Sequence, residues 1–96
     1  MNILVTYDVN TETPAGRSRL RKVAKACLGF GQRVQLSVFE CSLSAENLHR
    51  LRARLLKIID VEQDSLRIYT LHGKREEVVE VHGRDMYTDF RVPLII

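Results

Sequence analysis

The chain has 96 residues, 45% of them hydrophobic and 28% charged, with a formal net charge of +3; this fits one small globular domain and excludes a disordered polyelectrolyte. A domain of this size buries a modest share of its surface, so pairing with a second copy would extend its core. No stretch is long and apolar enough to span a membrane and Met1 to Val9 lacks the basic start of a signal peptide, so the expectation is a cytoplasmic protein with no membrane partner.

Asn2 to Val9 reads as a strand ending at Asp8, because Ile3, Leu4, Val5 and Tyr7 are apolar or aromatic and the segment is short. Asn10 to Gly16 is a loop rich in Thr, Asn, Pro and Gly, and Pro14 limits a helix to starting near or after it. From Arg17 to Leu28, the residues Leu20, Val23, Ala24, Cys27 and Leu28 recur at the spacing of one helical face, with Gly29 suited to the C-terminus. The other face carries Arg17, Arg19, Arg21, Lys22 and Lys25.

Arg33 to Leu43 alternates as a β segment but is long for one strand, and no Gly or Pro decides between a bent strand and two strands with a tight turn near Gln35 to Ser37. If it runs straight, Arg33, Gln35, Ser37 and Phe39 share a face. Ser44 is a good N-cap for a second amphipathic helix through Leu48, Leu51, Leu55, Ile58 and Ile59 to about Asp60. Its basic cluster is Arg50, Arg52, Arg54 and Lys57. A polar connection leads to a strand at Leu66 to Leu71, a charged turn at Gly73 to Glu77 and a further short strand at Val78 to His82. The order predicts an α+β fold, a ferredoxin-like βαββαβ domain over residues 1–82 with an additional C-terminal strand. Residues 83–96 read as a tail whose apolar ending, Val92-Pro93-Leu94-Ile95-Ile96, docks on the dimer.

Asp8 stands between an apolar strand and a basic helix, a place from which a carboxylate can hold a cation near a phosphate, although a strand-end Asp more often caps a turn. A single carboxylate is a thin magnesium site; in a two-fold homodimer the same residue from both chains would supply two. The basic helices suit sequence-independent phosphate binding, against the plain reading of a solvated face. Cys27 and Cys41 form no metal or redox spacing and read as buried, reduced thiols. His49, His72 and His82 have no short ligand spacing and read as solvated, and no phosphate-loop or dinucleotide motif occurs.

Three segments resemble the CRISPR-associated Cas-two family along nearly the full chain. They are Leu4-Val5-Thr6-Tyr7-Asp8-Val9 with the following Arg17 to Val23 helix, Gly31 to Glu40, and Asp64-Ser65-Leu66-Arg67-Ile68-Tyr69. The resemblance implies a ferredoxin-like homodimer, the Arg33 to Leu43 stretch split into two strands, and the two Asp8 carboxylates facing each other as a catalytic site for Mg2+ or another divalent cation. It further implies an endonuclease of spacer acquisition and antiviral defence, with double-stranded DNA ahead of RNA as substrate; the ordering follows the Pro93-Leu94-Ile95-Ile96 ending, which looks like that of a subgroup cutting duplex DNA. Arg17, Arg19 and Arg33 are then expected on the nucleic acid, with Tyr7, Ser37 and Phe39 as supporting neighbours. The alternative function is a non-catalytic, DNA-binding scaffold for the Cas-one integrase. An RNA-binding domain of the RRM kind is disfavoured by the lack of its aromatic stacking motif.

Overall fold

The structure, a computed structural model, describes residues 1–87. The elements are β1 (Asn2–Asp8), α1 (Pro14–Leu28), β2 (Gln32–Gln35), β3 (Val38–Ser42), α2 (Ala45–Ile58), β4 (Ser65–Leu71) and a single turn of helix, α3 (Arg75–Val78). The four strands form one sheet in the order β2-β3-β1-β4, every neighbouring pair antiparallel. This is the expected ferredoxin-like βαββαβ arrangement.

Alternation along β1 sorts the molecule into layers. Ile3, Val5 and Tyr7 are buried in one core with Val23, Ala26 and Cys27 of α1 and Leu48, Leu51 and Leu55 of α2. Leu4, Thr6 and Asp8 therefore point to the face that carries no long helix. Helix α1 begins three residues ahead of the expected Arg17: Thr13 Oγ1 accepts the Gly16 amide at 3.1 Å, and Pro14 takes a first-turn position where its missing N–H has no consequence. A Cβ on Gly16 would meet the Asn10 carbonyl, so glycine lets the loop after β1 lie against the helix start. Ser44 caps α2 through the Asn47 amide at 3.2 Å, and that helix stops at Ile58, short of Asp60.

The Arg33 to Leu43 stretch is a hairpin with Leu36 and Ser37 at its turn, as the resemblance implied. A register shift between Arg33 and Gln35 accommodates the turn without any non-glycine residue at positive φ. The shared polar strip of a straight strand is therefore corrected. Arg33 lies opposite Phe39 and Gln35 opposite Val38, whose side chains fall on different faces.

The additional strand at Val78 to His82 is also absent among the described residues. Gly73, at φ 105°, turns the chain after β4, and α3 forms in its place. Arg75 Nε meets Glu40 Oε2 at 2.8 Å while its Nη2 reaches Asp85 at 3.2 Å, and the guanidinium lies 3.9 Å from the centre of the Tyr87 ring. These contacts draw the segment toward Glu40 in the middle of β3 and away from ladder pairing along β4. The expected docking of the 92–96 ending lies outside the described residues.

Candidate nucleic-acid and metal site

Asp8 closes β1 opposite Ser65 of β4, and its side chain is exposed on the face away from α1 and α2. Its carboxylate makes no hydrogen bond or ion pair with the described residues. A carboxylate so placed suits an oxygen-seeking cation, but one chain supplies only one: no cluster of three or more His, Cys, Asp or Glu fit to hold a metal occurs among the described residues. The residues fit a divalent ion as half of a site, which a second copy together with water or phosphate oxygens would complete.

The three expected nucleic-acid arginines fall in three different settings. Arg17 is exposed and its Nη1 donates to the Thr11 carbonyl at 3.1 Å, which places it beside the loop that leaves Asp8. Arg19 is engaged elsewhere, with Nε 2.8 Å from Asp64 Oδ2 and Nη2 3.2 Å from Oδ1; its side chain is 16% exposed and that of Asp64 fully enclosed. Arg33 sits over the Phe39 ring at 5.2 Å on the helix side of β2, so the sheet separates it from the face of Asp8.

Tyr7 and Phe39 stack with centroids 6.2 Å apart inside the core. The Tyr7 hydroxyl is buried with no well-formed hydrogen bond among the described residues; burial raises its pKa, and hydrogen bonding and charge from the nearby Arg33 guanidinium work against that rise. Ser37 contributes its backbone, its carbonyl accepting the Tyr7 amide at 3.2 Å, which ties the hairpin turn to the end of β1.

Asp64 is the residue that sequence reasoning passed over. Besides Arg19 it accepts the Asn10 amide at 3.0 Å and the Asp60 amide at 2.9 Å. It thereby joins the loop after Asp8, helix α1 and the approach to β4. Hydrogen bonding from Arg19 is the main cause that lowers its pKa from 3.8 to about 2. One signal was present. Counting from Arg19, the residues at i+4 and i+7 are Val23 and Ala26, both buried, whereas from Arg17 the i+4 and i+8 residues are the exposed Arg21 and Lys25. A cation on the buried stripe calls for an acid, and Asp64 supplies it.

The cysteines and histidines sit as their sequence contexts predict. Cys27 and Cys41 are free and buried, and the three histidines are exposed. No helix among the described residues is long and apolar enough to cross a membrane.

Comparison with known proteins converges on one group. Residues 1–78 match the family model of the CRISPR associated protein Cas2. A protein of Moorella thermoacetica named CRISPR-associated endoribonuclease Cas2 1 is 51% identical over the full length of both chains. A protein of Halalkalibacterium halodurans named CRISPR-associated endonuclease Cas2 is 50% identical over 99% of each. Among solved structures, Streptococcus pyogenes Cas2 superposes with a TM-score of 0.76 at 55% identity, covering 86% of this chain and 100% of the other.

Proposed function

The chain belongs to the CRISPR-associated Cas2 family, and on that premise we propose that it is a metal-dependent endonuclease that hydrolyses phosphodiesters as a homodimer, with Asp8 of both chains forming the catalytic site. The observation that carries the reading is the Asp8 carboxylate at the end of β1, unpartnered among the described residues and exposed on the sheet face without long helices. Leu4, Val38 and the half-exposed Tyr69 lie on that face and give a second copy apolar surface to cover.

A divalent cation, magnesium by the preference of carboxylates for hard ions, supplies Lewis acidity and an activated water when bound there. Asp8 holds charge opposite the phosphate. Arg17, beside the loop that leaves Asp8, binds the phosphodiester backbone, and Arg19 acts through Asp64 to hold that loop and the start of α1 in place. Arg33 binds at the outer edge of β2, with Phe39 beneath it. Ser37 and Tyr7 position the end of the strand.

Duplex DNA is placed ahead of single-stranded RNA as substrate on the resemblance of the Pro93-Leu94-Ile95-Ile96 ending to a subgroup that cuts duplex DNA. The curated relatives carry both names, endoribonuclease and endonuclease. The biological setting is spacer acquisition in antiviral defence.

A second reading is a non-catalytic, DNA-binding scaffold for the Cas-one integrase, favoured by the exposed cations Arg17, Arg21 and Lys25 along α1, which need no metal to bind phosphate. A magnesium titration of cleavage on duplex DNA and single-stranded RNA, with wild type and Asp8→Asn purified identically, separates the two. Metal-dependent cutting lost in Asp8→Asn supports the nuclease. Cutting retained by the variant overturns it, and binding without cutting by either protein favours the scaffold.

A further inference from the structure

Charge is divided between the layers of the fold. Helices α1 and α2 hold nine of the fifteen lysines and arginines and, in Glu46, one of the twelve acids. In α2 the exposed Arg50, Arg54 and Lys57 recur at i, i+4 and i+7 and so form a single stripe. Like charges at these spacings repel, and a merely solvated helix face would ordinarily interleave acids. The acid present, Glu46, pairs with Arg50 at 2.9 Å in an exposed contact that solvent screens and a phosphate can displace. Arg54 and Lys57 form no ion pair among the described residues.

We infer that the outer face of α2 is a second phosphodiester-binding surface, formed by Arg50, Arg54 and Lys57 and working independently of Asp8. The stripe spans roughly 10 Å at 1.5 Å per residue, the reach of about three phosphates along one strand. Asp8 lies on the opposite face of the sheet, so a backbone held by α2 is not the backbone presented to the Asp8 site. The inference rests on the nucleic-acid part of the proposed function and not on its chemistry.

The test is fluorescence anisotropy of labelled duplex DNA and single-stranded RNA titrated with the full chain in excess chelator, across a salt series. R50Q/R54Q/K57Q binds at least about tenfold more weakly than wild type at moderate salt. Its log Kd against log salt slope is shallower by about 0.9 per lost contact on duplex and about 0.7 on a single strand, which distinguishes the two polymers. R50K/R54K, which keeps the charge, binds as wild type does. Unchanged affinity and slope in the triple variant, or equal loss in R50K/R54K, overturns the surface. In a parallel magnesium series without chelator, wild-type protein that binds but does not cut defeats the nuclease alone; cutting by wild type together with undiminished binding by the triple variant defeats the α2 surface alone.

Discussion

Replacing Asp64 by Asn should reveal how strongly one buried carboxylate orders the region around Asp8. Each of its oxygens accepts two hydrogen bonds: Oδ1 from the Asn10 amide and Arg19 Nη2, Oδ2 from Arg19 Nε and the Asp60 amide. An amide retains one of those oxygens. Whichever way it turns, one arginine N–H and one backbone N–H face an NH2 group and lose their acceptor. The charge contributes as well, since lowering the pKa from 3.8 to about 2 corresponds to roughly 2 kcal/mol by linkage. Arg19 keeps part of its side chain in solvent, and screening there leaves about half of that as a working figure. Adding the orphaned donors gives a destabilisation of about 2–3 kcal/mol, a fall in Tm of about 10–20 °C for a domain this size.

The pH dependence has a defined sign. A carboxylate whose folded pKa is depressed stabilises the fold above its unfolded value of 3.8 and loses that contribution as pH falls toward about 2. Urea unfolding at pH 6, 4 and 3 should show the gap between wild type and Asp64→Asn narrowing, with half of the charge contribution gone near about pH 3. A variant melting within about 2 °C of wild type at neutral pH, against the 4–8 °C expected per kcal/mol, would refute the assignment. A gap independent of pH would refute its electrostatic part.

Tyr7→Phe removes a buried hydroxyl that has no well-formed hydrogen bond among the described residues, so the urea midpoint should hold or rise, by up to about 1 kcal/mol of stability, and a clear fall would show that the nearby Arg33 satisfies it. Burial pushes the thiols of Cys27 and Cys41 up to about 12 and about 11, so a thiol reagent at pH 8 should leave both unmodified in the native protein and label both in guanidinium; rapid native labelling would contradict their placement in the core. Paired Asp8 groups require two chains, so the specific activity of cleavage should fall on dilution through the dimer dissociation constant. Constant activity where sedimentation shows monomers would rule out the shared site.

Much of the fold was legible because local pattern and tertiary environment agree. The apolar run of β1 and the 3.6-residue periodicity of α2 name most of their core residues, whereas in α1 the expected stripe holds at Val23 and Cys27 but fails at Leu28, which is 55% exposed at the helix end, and omits the buried Ala26. Asp8 was legible for the same reason, a polar residue where an apolar strand stops. What escaped depends on contacts between distant parts of the chain. Asp64 reads as part of a polar connection until Arg19, 45 residues earlier, is brought against it. The end of the domain was misread because Val78 and Val81 suggest a strand, whereas the pairing of Arg75 with Glu40, 35 positions back, and the turn at Gly73 redirect the chain first.

The separation of charge also bears on how metal and nucleic acid depend on each other. Eleven of the twelve acids lie outside α1 and α2, Asp8 among them. A phosphate backbone approaching Asp8 meets a like charge, so productive contact on that face calls for a cation between the two. A backbone approaching α2 meets Arg50, Arg54 and Lys57, for which phosphate replaces condensed counterions. Chelation should therefore abolish cleavage and spare most of the binding, while salt should weaken binding whether or not metal is present. Under the proposed function and the α2 surface together, the fold would hold one backbone on the helix side of its sheet and cut another on the Asp8 side, with the two activities answering to different ions.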